Sequence, residues 1–518
     1  MRSSFAGIEI GRTGLTVSQL GLDVTGHNIS NVDTLGYTRQ RLITTAYEPN
    51  STVGQFRPVN QALIGTGAVV KVLDQIRSSF LDRQYRTEQS LYSYWQSRTQ
   101  GLTYVQSQFE GAEGATLNAS IQAFFARLTT EAMDTDSRDP RVIVKQEAES
   151  LVFQFNMVYD RLIDMQQKQD LTVETVVGQI NTIAENIAVL NKSIYTYELN
   201  MNQLANDLRD KRNLLLDELS SIIDIEYSTS EDGRLTVKIG DEVLVKHLDV
   251  RTLACRTDVN PIPEETYQVH IPYWTDTNGD LDFTNVKGGE LKATIDLRDN
   301  GAGSLPGIPH YIEELNNLVR ALVQEVNAIH RLGYTYPGAG DVSRTNVDFF
   351  HIDKVAGVDD LESITAKNFR LSQDIIDNVN NVASSSVLID NDPNSSGYNP
   401  QMGNNENVRA LAELIGKKDI GITIGGNNIS IGGLDSFMTS IVVDMATTLK
   451  HSKTVLGTKN TQLLDVDNQR MSIAGVSLDE EMTNLIKYQH AYSGASRVIT
   501  TMDEALDILI NRMGRVGL

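Results

Sequence analysis

The chain has 518 residues, 45 of them basic and 67 acidic, for a formal charge of −22. That length exceeds one ordinary hydrophobic core, and the acidity argues against nucleic acid and anionic membrane surfaces as partners. No apolar run approaches the roughly 20 residues that span a bilayer, and the opening MRSSFAGIEIGRTG lacks the basic start and apolar core of a cleavable secretion signal, so a cytoplasmic chain or export by a route that reads no such signal is expected. Cys255 is the only cysteine, which excludes an internal disulfide and reads as a buried small apolar residue.

Near the start, Ile8, Leu15, Leu22 and Ile29 recur every seven residues, and Ile10, Val17 and Val24 form a second row on the opposite face. A helix apolar on two faces needs two partners. One C-terminal helix covers only one row, and the other points to a second copy of the chain. The helix pattern stops at Ser30 to Tyr37, where Asn31, Asp33 and Gly36 supply turn chemistry. Thr38 to Lys71 reads as an extended connector with hairpin character.

From about Gln75 to Ile223 the pattern is helical. Asp139-Pro140 opens a run through Leu151, Phe155, Val158, Leu162 and Met165, and Ile180, Ile183, Ile187, Leu190 and Ile194 resume it. Helices of this length favour an elongated bundle over a globule. From about Asp224 to Asp299 the period becomes two: Leu235, Val237 and Ile239 alternate with polar residues, and Tyr273 to Phe283 reads as strand, Asn278-Gly279 turn and strand. Asp276, Asn278, Asp280 and Asp282 imitate a calcium loop, but the glycine is misplaced and Lys287 stands where a glutamate is needed, so turn chemistry is expected. Pro309 to Leu332 is helical, Gly333 to Asn404 mixed, and Asn407 to Ile415 helical. A short strand pair around Gly425 to Asn428 and a helix from Leu434 to about Val466 follow.

The last stretch, Ser477 to Met513, is the clearest. Leu478, Leu485, Tyr492, Ile499, Leu506 and Met513 recur every seven residues beside Tyr488, Ala495, Met502 and Leu509, which is a coiled-coil seam. Ser477 with Glu480 has the spacing of a capping box, and Asp479, Glu480 and Glu481 complement the helix dipole. Arg512, Gly514 and Arg515 mark the stop.

The resulting fold class is mainly α: terminal helices forming a coiled coil, an elongated α-helical bundle and an inserted β-rich outer domain. The expected division is 1–74 (N-terminal coiled-coil helix and connector), 75–223 (bundle, first part), 224–299 (β-rich insertion, first part), 300–332 (bundle helix), 333–404 (insertion, second part), 405–466 (bundle, C-terminal part) and 467–518 (C-terminal coiled-coil helix). The two halves of the chain therefore nest, with the termini paired.

Chemistry is missing. No phosphate-binding loop, His-Glu-x-x-His or Gly-x-Ser-x-Gly occurs, and the eight histidines show no ligand spacing. His27, His330 and His490 fall inside helical patterns, where surface or interface histidines are the default reading. No catalytic, cofactor or metal residue is nominated.

Gly26-His27-Asn28-Ile29-Ser30-Asn31-Val32-Asp33-Thr34-Leu35-Gly36-Tyr37-Thr38-Arg39-Gln40 resembles the N-terminal signature of the axial proteins of the bacterial flagellum, the rod, hook and hook-associated proteins. Gly475 to Glu481, with Tyr488-Gln489, Ala491-Tyr492 and Arg497-Val498-Ile499, is similar to their C-terminal signature. Leu35 stands where the family usually has proline, and His27 where it usually has asparagine. The Tyr37 to Gln40 ending and Asp207 to Leu219 resemble the hook-associated members. The resemblance implies a structural adaptor that joins hook to filament, exported through the flagellar type III apparatus and polymerising at the hook tip. Implied partners are further copies of the chain, hook protein, the next hook-associated protein toward the filament, and an export chaperone holding the C-terminal helix. Asn28, Asn31, Gly36 and Tyr37 would join Ile8, Leu15, Leu22, Ile29 and the C-terminal heptad residues in the assembly interface. Hook-associated protein 3 and a non-flagellar secreted coiled-coil scaffold are the competing readings; Asp207 to Leu219 and the long bundle argue against the first.

Overall fold

The computed structural model describes residues 6–47, 65, 67–110, 116–201, 204–230, 233–263, 265–301, 303, 305–337, 342–355, 358–401, 403–424, 427–508 and 510. It is mainly helical. The N-terminal helix α1 (Ala6–Ser30) is followed by strands β1 (Gln40–Ala46) and β2 (Ala68–Gln75), an antiparallel hairpin with a bulge between Ile43 and Thr44. Helices α2 (Ser79–Glu110), α3 (Leu117–Glu131), α4 (Asp139–Met201) and α5 (Asn206–Ile222) come next. The last two helices are α10 (Leu434–Ala474) and α11 (Leu478–Asp507). Pairing is nested, α1 with α11 and α2 with α10.

The spine is α4, one helix of 63 residues where the sequence shows two apolar runs. Nothing between Met165 and Ile180 breaks it. Its proline sits in the first turn, and a side chain added at Gly178 would meet open space. At 1.5 Å per residue α4 is roughly 95 Å long, far more than one core can cover. Two cores therefore share it. The first half, through Leu151, Phe155 and Leu162, packs with Phe124 of α3, Leu315 and Leu322 of the helix at Ile308–His330, and Phe349, Phe350 and Phe369 of the mixed segment. The second half, through Val173, Ile180 and Ile187, packs with Leu216 and Leu219 of α5 and with the strand-rich segment through Val237, Leu244 and Trp274.

A polar layer separates the cores. Asp170 accepts hydrogen bonds from Arg298 Nη1 (2.7 Å) and the His270 backbone N–H (2.7 Å), and its other oxygen lies 2.6 Å from His270 Nδ1. Gln166 donates to the Arg298 carbonyl at 3.2 Å. Each of these groups is largely withdrawn from water, so the layer is stable only because it is closely bonded.

The strand-rich segment holds β3 (Glu226–Thr229), β4 (Leu235–Ile239), β5 (Glu242–Lys246) and β6 (Asp249–Val250) in one antiparallel sheet, and β7 (Leu253–Asp258) paired with β8 (Val269–Trp274). The expected hairpin at Tyr273 to Phe283 is therefore half right. The turn is there, with Asn278 at φ 54, but the second strand is reduced to a single bridge between Tyr273 and Asp280, and β8 pairs backward with β7. The aspartates of the turn have partners: Asp276 takes Arg251 (2.7 and 3.0 Å), Asp280 takes Arg256 (2.7 Å), and Asp282 caps the Thr284 N–H (2.8 Å). The short helix α6 (Glu290–Asp299) and the longer α7 (Ile308–His330) return the chain to the first core. There β9 (Lys354–Val355), β10 (Val358–Asp359), α8 (Gln373–Asp377), α9 (Glu406–Glu413), β11 (Ile420–Ile424) and β12 (Asn427–Gly432) complete it.

Two single-residue expectations change. Cys255 is half-buried on β7 instead of fully enclosed; burial, reinforced by Glu174 and Asp170, pushes its thiol up to about 11. His330 is neither surface nor interface but completely buried. Its Nδ1 donates to the Val347 carbonyl (2.7 Å), its Nε2 accepts from the Ala383 N–H (2.9 Å), and burial lowers its pKa to about 4. It is a neutral core histidine that ties the end of α7 to two loops.

Candidate assembly interface

Helices α1 and α11 run antiparallel, and their contact is built from glycine. Gly7, Gly11, Gly14 and Gly21 face Met502, Ile499, Ala495 and Tyr488 in that order, and Ser18, Thr25 and Asn28 continue the same stripe. A Cβ at Gly21 would fall 2.5 Å from the Tyr488 ring, and one at Gly11 2.6 Å from Ile499. Large side chains of α11 thus sit directly on the backbone of α1. The expected covering of one apolar row by the C-terminal helix is not what occurs. The small-residue stripe lies between the two rows, and α11 follows the stripe. The Ile10, Val17, Val24 side carries the β-hairpin, where Gly67 lies against Thr13 and Ile10. Ile8, Leu15, Leu22 and Ile29 flank the seam half-buried.

On α11 the heptad rows divide. Leu485, Tyr488, Ile499 and Leu506 are half-buried, while Tyr492 and Leu478 are exposed. Met513 and Leu509 lie outside the described residues, as do Arg512, Gly514 and Arg515. Leu478, Met482 and Ile486, one turn apart, are each about half exposed, at 48%, 50% and 51%. That is an apolar strip beside the seam with none of the described residues covering it.

Where the pair meets the rest of the molecule, a polar knot closes on itself. Asn28, 1% exposed, donates from Nδ2 to the Gln40 carbonyl (2.9 Å) and to Glu481 Oε2 (3.1 Å). Its Oδ1 accepts from the Gln40 N–H (3.0 Å) and from the Tyr37 hydroxyl (2.7 Å). With that phenolic proton used, His27, whose Nδ1 is 3.0 Å from the Tyr37 oxygen, is the donor in their contact. Arg39 binds Glu481 through Nε (2.8 Å) and Glu480 through Nη1 (2.5 Å), and its backbone N–H donates to the Ala474 carbonyl at the end of α10 (2.9 Å). From α5, Asp210 accepts the Thr38 N–H (3.0 Å) and Asp207 accepts from Gln40 Nε2 (2.9 Å). Burial raises the Asp210 pKa, and burial followed by the nearby Asp207, Asp210 and Glu481 raises the Tyr37 phenol well above its ordinary range.

The expected capping box at Ser477 does not form. The Ser477 side chain makes no cap bond, because the acidic first turn of α11 is occupied by Arg39 and Asn28. Gly36 takes a left-handed backbone, φ 78, that brings the turn against Leu214 of α5. Asn31 stabilises the same turn, donating to the His27 carbonyl (3.0 Å) and accepting from Thr34 (3.1 Å). One layer further in, Asp217 accepts from Arg86 of α2 (2.7 Å) and Arg470 of α10 (2.7 Å), and Arg470 lies 3.8 Å over the Tyr85 ring.

Three segments remote in sequence therefore converge: the end of α1 through β1, the start of α5, and the junction of α10 with α11. Of the residues gathered here beyond the heptads, Asp210 and Glu481 are charged groups whose burial requires a partner, Gln40 is buried but uncharged, and Arg39 and Asp207 join them from less enclosed positions. The arrangement orients helices. Among the described residues no cluster of three or more His, Cys, Asp or Glu side chains could hold a metal, and no described helix is long and apolar enough to cross a membrane.

Comparison with known proteins agrees with this architecture. Residues 102–350 match the family model of the flagellar hook-associated protein FlgK helical domain, and residues 468–513 match that of the flagellar basal body rod FlgEFG protein C-terminal region. Both models describe axial proteins of the flagellum, which is the class the chain resembles. The chain is 29% identical to flagellar hook-associated protein 1 of Bacillus subtilis over the whole of both chains, and 24% identical to the protein of that name from Escherichia coli K12, covering 96% of this chain and 98% of that one. Over its whole length the chain is thus similar to flagellar hook-associated protein 1. The flagellar hook junction protein FlgK from Burkholderia pseudomallei shares the fold, with a TM-score of 0.57 at 14% identity over 77% of this chain and 100% of that one.

Proposed function

We propose that this chain is a structural adaptor joining hook to filament in a bacterial flagellum, polymerising through its terminal helices at the distal end of the hook. The observation that carries the reading is the uncovered side of α11. Leu478, Met482 and Ile486 face outward on a helix that packs on α1, and an exposed apolar strip of this kind is stabilised by burial against neighbouring copies. Ile8, Leu15, Leu22 and Ile29, left half-buried on α1, extend the surface available to those copies. Hook protein contacts one side of the layer and the next hook-associated protein the other. The chain reaches this place by the flagellar type III route, and before export a chaperone covers the apolar strip of α11.

The polar knot has a defined part in this reading. It fixes the direction in which the α1/α11 pair leaves the bundle, so every copy presents its strip at the same angle. Electron microscopy of hooks from a strain lacking the gene tests the proposal: hooks without filaments are expected, and hooks that still carry normal filaments would sink it. Detection of the protein in sheared flagella checks export separately.

A further inference from the structure

Two hollows flank α10, and their charges are opposite. The first, about 510 Å³, lies between α10 and α7 and is lined by His310, Tyr311 and Glu314 from α7 with Asp444 and Thr448 from α10. Its only ion pair among the described residues is the weak one between His310 and Asp444, at 3.8 Å; no lysine or arginine neutralises Glu314 or Asp444. Tyr311 is 1% exposed and turns its hydroxyl toward Thr448 and the Asp444 charge at the wall of this hollow. The second hollow, about 440 Å³, lies between α10 and α2 and is lined by Gln106, Lys450, Lys453 and Thr454. Lys450 and Lys453 are exposed and form no ion pair among the described residues, in a chain whose net charge is −22.

The two hollows point in opposite directions. Asp444 and Lys453 are nine residues apart on one helix, and at 100° per residue that is about half a turn. Buried Met438, Ile441, Met445 and Leu449 fix which side of α10 faces the core, so the acidic and basic hollows are its two flanks. A surface that is acidic on one flank and basic on the other cannot satisfy itself within one copy. It can do so head to tail between copies, the arrangement that closes into a ring or extends into a helix.

We propose that neighbouring copies meet side by side through α10, with Lys450 and Lys453 of one copy entering the Glu314 and Asp444 hollow of the next. A lysine ammonium there gains two carboxylates and the Tyr311 oxygen as acceptors. Contact of this kind sets register and spacing around the layer, while the terminal helices supply its apolar adhesion. This inference rests on the self-assembly proposed above and adds the surface used outside the terminal helices.

Charge reversal in the full-length chain, expressed in a strain lacking the gene, tests it. Lys450→Glu with Lys453→Glu, and separately Asp444→Lys, should each be exported normally and melt as the unaltered protein does, because all three side chains are exposed. Each should cut filaments per cell by about tenfold, and the triple variant should return to within about twofold of the unaltered chain. Unchanged filament number in the single-side reversals, or a triple variant no better than they are, would overturn the α10 contact and leave the adaptor reading standing. The adaptor reading itself fails only if the strain without the gene keeps its filaments. A second measurement is independent of charge: in a Cys255→Ser background, Asp444→Cys paired with Lys453→Cys should give a ladder of cross-linked oligomers from sheared hooks, and monomer alone would overturn the contact.

Discussion

Arg39 and Glu481, 442 positions apart in the chain, meet at 2.8 Å, with the Glu481 carboxylate 2% exposed. The same guanidinium reaches Glu480, but that carboxylate is 62% exposed. Water and salt screen the second pair, so it contributes about 1 kcal/mol at most. The first cannot be treated that way, because a buried carboxylate that loses its cation keeps only Asn28 as side-chain partner among the described residues, at a cost of roughly 3–5 kcal/mol.

Arg39→Ala should therefore free the base of α11, giving fast amide exchange at its first turns and a loss of filaments, whereas Glu480→Ala should leave both nearly unchanged. Equal effects from the two variants would mean that the buried pair does not govern how α11 is held.

The glycine seam predicts an order among alanine variants. Alanine in place of an interior helical glycine gains about 1 kcal/mol of helix propensity. At Gly26 nothing lies within 4 Å of the new methyl, so Gly26→Ala should stabilise α1. At Gly14 the methyl would sit 3.3 Å from the Ala495 Cβ, and the gain should be roughly cancelled. At Gly21 it would lie 2.5 Å from the Tyr488 ring, and overpacking costs about 1–3 kcal/mol, so Gly21→Ala should loosen the pair. Heat-induced release of filaments from isolated hooks reads this order directly, and a Gly21→Ala junction as heat-stable as the unaltered one would contradict it.

Heptads announced both terminal helices in the sequence, and the change of period at Asp224 announced the strand-rich segment, because apolar spacing is written locally. What was not legible is which face of α1 meets α11. Counting large apolar residues offers two rows, Ile8, Leu15, Leu22 and Ile29 or Ile10, Val17 and Val24, but contact follows the backbone's closest approach, and Gly7, Gly11, Gly14 and Gly21 carry no hydrophobic signal at all. Ser477 misled for a related reason. A capping box is a local pattern, and Arg39, remote in sequence, claims the glutamate that would have completed it. The knot's three segments were marked by the signatures at Gly26 to Gln40, Asp207 to Leu219 and Gly475 to Glu481, but which polar group bonds which was not legible, because the partners lie in other segments.

His330 gives a pH signature. Its pKa in the folded chain is lowered to about 4 by burial, against 6.5 ordinarily, so folding excludes a proton. The stability this neutral ring contributes is complete above pH 6.5 and is lost as pH falls from there toward 4, by about 3 kcal/mol in all. Buried Glu131, whose pKa burial raises to about 7, acts in the opposite sense over an overlapping range, so the comparison must be made between variants. His330→Gln should be less stable than the unaltered chain at pH 7.5 and lose less on acidification to pH 4.5, measured by urea unfolding at both. Parallel losses in the two proteins would show that His330 is not held neutral.

Leu485 and Ile499 test the seam itself. Both are half-buried on the side of α11 turned to α1, and Ile499 packs on Gly11. An aspartate at either position places a charge between two packed helices, which costs several kcal/mol, a large part of any assembly contact. The cores around α4 contain neither residue. Beyond its Arg39-bound first turn, α11 packs among the described residues chiefly on α1, and α1 brings glycines to that contact, so the pair should be the least stable part of the monomer. Amide exchange in the monomer should accordingly be fast along α11 and slow along the first half of α4. Leu485→Asp and Ile499→Asp should keep the main melting transition of the purified protein while filaments per cell collapse. An early-melting variant would place the seam in the monomer's own core, and a variant that builds full filaments would show that the seam bears no part of the assembly.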